Sequence, residues 1–215
     1  MNNKCTFFLF FLFSSTLLNS CDGIFHNIYD ERENVSKNGY GFIKISDGEN
    51  YGIIYVDATA YDRWTYIDLK NKKIDTTNIL LEEEEPFEWD FALHRYDTKT
   101  HNGSVAESAY TSLEDLWAAG NINFNGFAPD INDSVMVDVS GMMEGIIRYA
   151  PSTKNPILSQ WMDLNTSTMP PIYTLSNHIY ILRMSDGKRA ALHFVNYMNP
   201  ASVKGFITIY YLYPY

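Results

Sequence analysis

The chain has 215 residues, 26 of them acidic and 16 basic, for a formal net charge of −10, with 46% apolar and 15% aromatic residues. That length suits one domain, or one domain with an N-terminal extension, and the apolar share is ample for a packed core rather than a disordered chain. The acidic excess argues against nucleic acid, because no surplus of cations exists to displace phosphate counterions. Anionic lipid headgroups offer no attraction either, so a neutral or aromatic ligand, or another protein, is the better-suited partner.

In chain order, the first 20 residues read as an export signal. Lys4 supplies a positive start, residues 7–13 form an unbroken Phe/Leu run, and the segment closes on Leu18-Asn19-Ser20-Cys21. The run ends at Ser14 and Ser15, short of the roughly 20 apolar residues needed to span a bilayer. Leu at −3 and a small residue at −1 before Cys21 resemble the lipobox of bacterial lipoproteins, where cleavage exposes a cysteine that is acylated. Several acyl chains on one residue exceed the single-chain threshold for stable anchoring. An ordinary signal with a chance cysteine is the alternative. Cys5, the only other cysteine, lies inside the discarded segment, so the exported chain is expected to hold neither a disulfide nor a thiolate metal cluster. Losing one lysine and no acid shifts its net charge from −10 to −11. The expected organisation is a lipoprotein signal over 1–20, a polar tether over 21–39, and a single domain over 40–215. Membrane contact is then through the lipid anchor only.

From Tyr40 onward Tyr, Phe, Trp, Ile and Val recur in short runs between turn residues, the texture of many short strands. Asp47-Gly48 and Asp186-Gly187 suggest two-residue type I′ hairpins. Asn102-Gly103 and Asn125-Gly126 mark further turns or longer loops. Residues 51–56 and 64–69 read as a strand pair around a charged bend, and the alternating run 205–213 reads as the strand that closes a sheet. One short helix is predicted: Ser112 caps it, Asp115 stands at the capping-box spacing, Leu113, Leu116 and Trp117 share a face, and Gly120 ends it. The glutamate run 82–85 ahead of Pro86 reads as a solvated loop rather than a metal cluster. No internal repeat occurs. A nucleophile elbow, a His-Glu-x-x-His zinc motif and a paired-acid motif are all missing, so no enzymatic role is expected.

Several segments together resemble the HmuY-like family of haem-binding lipoproteins. They are Tyr55-Val56-Asp57-Ala58-Thr59-Ala60-Tyr61 with Trp64-Thr65-Tyr66, then Trp89-Asp90-Phe91-Ala92-Leu93-His94-Arg95-Tyr96 with Thr100-His101-Asn102-Gly103. The third set is Tyr180-Ile181-Leu182-Arg183-Met184-Ser185-Asp186-Gly187 with Gly205-Phe206-Ile207-Thr208-Ile209-Tyr210. No single piece is specific; their order and spacing are, over most of residues 52–215. The resemblance implies an all-β fold of multi-stranded antiparallel sheets in a hand-like arrangement, with haem gripped between two projecting loop regions. It also implies display at the outer membrane or cell surface, with release to the extracellular space as a further outcome. Haem would pass to a TonB-dependent outer-membrane haem receptor, with host haem-carrying proteins as a further class of partner.

Haem iron takes axial ligands from His, Met, Cys or Tyr. Each of the five histidines has a bland explanation: His26 in the tether, His94 and His193 within strand patterns, His101 before a turn, His178 at a strand entry. Residues 136–173 contain no histidine, yet hold Met136, Met142, Met143, Met162 and Met169, five of the seven methionines beyond the initiator. By composition alone these methionines read as fillers of irregular core gaps. The resemblance turns that reading. The family's type member holds iron with two histidines from this part of the chain, whereas other members resemble this sequence in presenting methionine. Met136 and Met162 sit in strand-like runs and read as core. Met143, with Met142 as its rival, and Met169 before Pro170-Pro171 sit in loops and are the expected axial ligands. A hairpin formed by residues 146–149 and 157–161 around 150–156 would bring them face to face. Tyr149, Trp161 and Tyr173 are the expected apolar walls, and Arg148 and Lys154 could meet the propionates, though surface solvation suits each better. The alternative function is a non-haem adhesion or glycan-binding lipoprotein, with Trp64, Trp89, Trp117 and Trp161 stacking on sugars.

Overall fold

Strands buried on both faces need near-continuous apolar sequence, and the central runs of this chain have it. In the computed structural model, which describes residues 39–43, 50–120 and 122–215, every strand pairing is antiparallel. A seven-stranded sheet comprises β1 (Gly41–Ile43), β2 (Tyr51–Asp57), β7 (Ser104–Glu107), β8 (Ala128–Pro129), β13 (Ile179–Arg183), β14 (Arg189–Met198) and β15 (Lys204–Leu212), in the order β1-β2-β15-β14-β13-β7-β8. A four-stranded sheet comprises β3 (Arg63–Asp68), β4 (Lys73–Asn78), β5 (Phe91–His94) and β6 (Asp97–Thr100), in the order β4-β3-β5-β6. Two isolated hairpins complete the set: β9 (Ile131–Asp138) with β10 (Arg148–Lys154), and β11 (Met162–Asn165) with β12 (Ile172–Leu175).

The side-chain period of two sorts these strands into layers. In β13, Tyr180 and Leu182 enter the main core, which also holds Ile54, Val56, Ile67, Phe91, Leu93 and Phe194 from both large sheets, together with Trp161 from the segment ahead of β11. Ile179 and Ile181, one residue out of phase, face the opposite side and meet Leu116. Leu116 comes from the predicted helix, α1 (Leu113–Ala118), in which Ser112 Oγ accepts from the Asp115 amide as a capping residue should. Gly120, at φ +75°, follows the helix end. In β5, Phe91 and Leu93 face the main core while Ala92 faces a second cluster with Trp64, Tyr66, Trp89, Val135 and Val137. Val135 and Val137 belong to β9, so the first hairpin lies on the outer face of the four-stranded sheet.

Several expectations are refined. Residues 51–56 and 64–69 do form strands, but β2 pairs with β1 and β15, and β3 with β4 and β5, in different sheets. The C-terminal strand β15 is interior, flanked by β2 and β14, rather than a closing edge. The hairpin at Asp186-Gly187 is present, with Arg183 opposite Arg189. Its turn places only Gly187 at positive φ (+84°), and the Gly187 amide donates to the Met184 carbonyl at 3.0 Å. That is a three-residue loop with a glycine bulge, not the two-residue I′ turn. The glutamate run is exposed, and among the described residues no group of three or more His, Cys, Asp or Glu side chains is arranged to hold a metal ion. Glu85 is the exception to pure solvation, since it pairs with the buried Lys99 ammonium. The signal, Cys21, residues 21–38 of the tether, and Asp47-Gly48 lie outside the described residues.

Candidate functional site

Both isolated hairpins are rooted on one short stretch, residues 96–98, at the edge of the four-stranded sheet. Lys154, the last residue of β10, reaches Asp133 at 2.9 Å and Asp97 at 3.3 Å. The next residue, Asn155, is fully buried; its amide donates to the Thr98 carbonyl at 2.7 Å, and its Nδ2 donates to Asp130 at 2.9 Å and to the Ala128 carbonyl at 3.0 Å. A 3₁₀ turn, Leu158–Trp161, leads into the second hairpin. Ser159 Oγ accepts from the Thr98 amide at 3.0 Å, and Trp161 Nε1 donates to the Tyr96 carbonyl at 3.0 Å. The Trp161 carbonyl accepts from the Ser176 amide, also at 3.0 Å, where the second hairpin returns.

This arrangement replaces the single hairpin expected over 146–161. The segment 150–156 is mostly strand β10, paired with β9, and 158–161 is a 3₁₀ turn. The methionines therefore occupy the tips of two hairpins instead of the two flanks of one. Met142 and Met143 lie in a 3₁₀ turn (Met142–Glu144) between β9 and β10, which Gly145 closes in the left-handed region at φ +77°. Met169 lies in the connection between β11 and β12, ahead of a cis peptide to Pro170.

These tips concentrate exposed apolar side chains. Met143 is 94% exposed, Met169 89% and Met142 48%, accompanied by Ile146 and Tyr149 on the first hairpin and Leu164 and Ile172 on the second. Among the described residues, eight of the fourteen exposed large apolar side chains fall on the two hairpins, with Ile131 the eighth; single exposed apolar residues are ordinary, and it is their concentration that asks for an explanation. Ile146, Leu164 and Ile172 went unnoticed in the sequence, where nothing separates a β-branched or leucine residue at a bare tip from one in a core.

The other candidate residues divide. Tyr149 is exposed and stands opposite Met136 across the first hairpin, on the face away from Val135 and Ala150. Met136 is thus half-buried rather than core, whereas Met162 is buried as expected. Tyr173 is half-buried, stacked on Tyr197 with centroids 5.7 Å apart, and its ring lies 3.8 Å from Lys204 Nζ. Trp161 does not stand at the surface as a porphyrin wall would: it is fully buried and stacks on Phe194 at 4.5 Å, so both ring and N–H are committed to the interior. Lys154 is likewise committed to two carboxylates, while Arg148 is exposed with Asp138 at 3.8 Å.

None of the four described histidines lies in either hairpin. His94 is buried with Nε2 2.6 Å from the Tyr61 carbonyl, His101 stacks on Trp89, and His178 Nδ1 lies 2.5 Å from Glu107. Burial pushes the His193 imidazole below its ordinary value, with a smaller opposing effect from a hydrogen bond to the Asn177 backbone. Of the four tryptophans, Trp64, Trp89 and Trp161 are buried and only Trp117 is exposed, which leaves a sugar-stacking surface one ring instead of four.

Comparison with known proteins gives a consistent answer. The family model described as HmuY protein matches residues 60–211. A solved structure from Bacteroides vulgatus, designated a HmuY-like haem-binding protein, is 44% identical, with 82% of this chain and 98% of that one covered and a TM-score of 0.78. A solved structure from Bacteroides fragilis, designated a lipoprotein, is 46% identical, covering 82% and 96% of the two chains with a TM-score of 0.78. An apo HmuY analogue from Tannerella forsythia, 19% identical over 77% of this chain and 97% of that one, shares the fold with a TM-score of 0.65. No curated protein matches the chain.

Proposed function

Because the chain belongs to the HmuY family, we propose that it captures haem between its two rooted hairpins, with Met143 and Met169 as the axial ligands. The observation that carries this reading is the placement of nearly naked thioethers at both hairpin tips, among exposed Ile146, Tyr149, Leu164 and Ile172. An apolar, aromatic macrocycle needs such walls, and its iron accepts methionine sulfur. Tyr149 and Tyr173 line the haem, and Trp161 holds the second hairpin from behind. Met142 remains the rival of Met143. Residues of a 3₁₀ turn diverge by about 120°, so one of the two enters the site and the other points elsewhere; the greater exposure of Met143 favours it.

Haem supplies an iron that two axial donors can grip, and the donors decide which oxidation state is held. A thioether is soft, neutral and without a proton to lose. Two of them favour ferrous over ferric haem and leave affinity flat between about pH 5 and 8, where a histidine ligand would titrate. The Bacteroides vulgatus relative is designated haem-binding and the Bacteroides fragilis relative a lipoprotein, which supports a haem-binding surface lipoprotein; acylation at Cys21 and delivery of haem to a TonB-dependent receptor complete the proposal. A binding role, not catalysis, fits that family.

Absorption spectra of the reduced haem complex test the ligands. Wild type should give a low-spin ferrous spectrum that Met143→Ala and Met169→Ala each lose, with affinity down at least about tenfold. Unchanged spectra in both variants, tighter ferric binding, or a steep loss near pH 6 would overturn the assignment. A glycan binder would give no new Soret band at all.

A further inference from the structure

We propose that the same two methionines are an oxidation switch, in which peroxide converts Met143 and Met169 to sulfoxides and disarms haem capture. This rests on the thioether-ligand reading. Its own observation is the contrast in access among the seven described methionines. Met143 and Met169 are 94% and 89% exposed, whereas Met162 and Met184 are 6% and 9% exposed, and Met136 and Met198 are half-buried. Peroxide must reach a sulfur lone pair directly, so the two tips react first and Met142, at 48%, follows.

The step balances without any group beyond the peroxide. A sulfur lone pair attacks one peroxide oxygen, the O–O bond breaks, a sulfoxide forms, and the other oxygen leaves with both protons as water. Sulfur loses two electrons and the peroxide gains them. The product presents a hard, polar oxygen where a soft sulfur stood, among Ile146, Leu164 and Ile172, which gain nothing from a polar neighbour. Soft ferrous iron is then mismatched to both donors. Conversely, a sulfur whose lone pair is given to iron is shielded from peroxide, so the loaded protein resists the change that disables the empty one. Capture is thereby confined to reducing surroundings, and a sulfoxide reductase can restore it.

The test oxidises the whole haem-free chain with hydrogen peroxide, removes the peroxide with catalase, and then maps sulfoxides by peptide mass spectrometry alongside ferrous-haem titration. Residues 143 and 169 should oxidise at least about fivefold faster than Met162 and Met184. Affinity for ferrous haem should fall at least about tenfold and return after treatment with methionine sulfoxide reductase and dithiothreitol. Equal oxidation of all methionines would overturn the switch. So would unchanged affinity of the oxidised protein while Met143→Ala and Met169→Ala lose binding, an outcome that leaves the ligand reading standing. Wild-type affinity in those two variants would instead remove the ligand reading, and the switch with it.

Discussion

Trp161 illustrates how residue type alone misplaces a function. A tryptophan between two loop methionines has the right surface for a porphyrin, and the sequence offers no sign that its ring is already occupied. In the fold it stacks on Phe194, its Nε1 donates to the Tyr96 carbonyl, and its own carbonyl receives Ser176. Replacement by phenylalanine removes apolar area and leaves the Tyr96 oxygen unpaired in a buried setting. We expect Trp161→Phe to lower stability by about 1–3 kcal/mol, measured as a shift in urea midpoint, while the Soret maximum of the bound haem stays where it is. A variant of undiminished stability with a displaced Soret band would put the ring against the porphyrin after all. The residues that sequence did single out correctly, Met143 and Met169 as loop residues and Met162 as core, share one property: each sits beside an unambiguous local signal. Gly141 and Gly145 flank the first, two prolines follow the second, and Trp161 precedes the third.

At the scale of elements, the tip of the first hairpin is held by its two glycines. Gly145 adopts φ +77°, where a Cβ is strained, and its amide donates to the Met142 carbonyl at 3.0 Å. Gly141 has no room for one: a Cβ there would lie 2.9 Å from the Ile146 Cβ. The two positions differ in what a side chain would break. Gly145→Ala has open space around it and meets only the backbone penalty, about 1–2 kcal/mol, paid locally at the tip and not in the sheets. If Met143 must be presented by this turn, haem affinity in Gly145→Ala drops by about five- to thirtyfold, with the urea midpoint nearly unchanged. Equal affinity would mean that the turn can relax without cost to the site. Local signals of this kind explain what was legible. Antiparallel strands, α1 with its Ser112 cap, the Asp186-Gly187 hairpin and the loop status of Met143 and Met169 all follow from local patterns. Strand partners did not. Residues 51–56 and 64–69 are neighbours in sequence, but their inner faces serve a core shared by two sheets, and burial on both sides erases the alternation that would have told those sheets apart. The true hairpin boundaries were hidden for a related reason. Residues 150–154 include Pro151 and Ser152, poor strand formers by propensity, yet they pair in β10 because Lys154 and Asn155 are clasped at residues 97–98.

For the molecule as a whole, the imidazole that responds to mild acid and the groups that would hold haem belong to different parts of the structure. His193 lies in β14, inside the seven-stranded sheet, opposite Ile179 and Tyr210. Burial holds its pKa below the ordinary 6.5, so over the interval from about 6.5 down to that lowered value the unfolded chain binds more protons than the folded one. Stability is therefore complete above about pH 6.5 and is lost as pH falls through that window. Asp90 acts with the opposite sign at lower pH: burial raises its carboxyl, so the folded state takes up its proton first and gains relative to the unfolded chain on further acidification. The hairpin methionines carry no titrating atom. Two profiles measured on one protein should thus diverge: the urea midpoint declines as pH falls below about 6.5, while ferrous-haem affinity, measured in the absence of denaturant, stays level. His193→Gln, which cannot be protonated, should flatten the first profile and leave the second untouched. Parallel decline of both profiles, abolished together in His193→Gln, would place an imidazole at the haem and contradict the separation of the acid-sensitive His193 from thioethers that carry no proton.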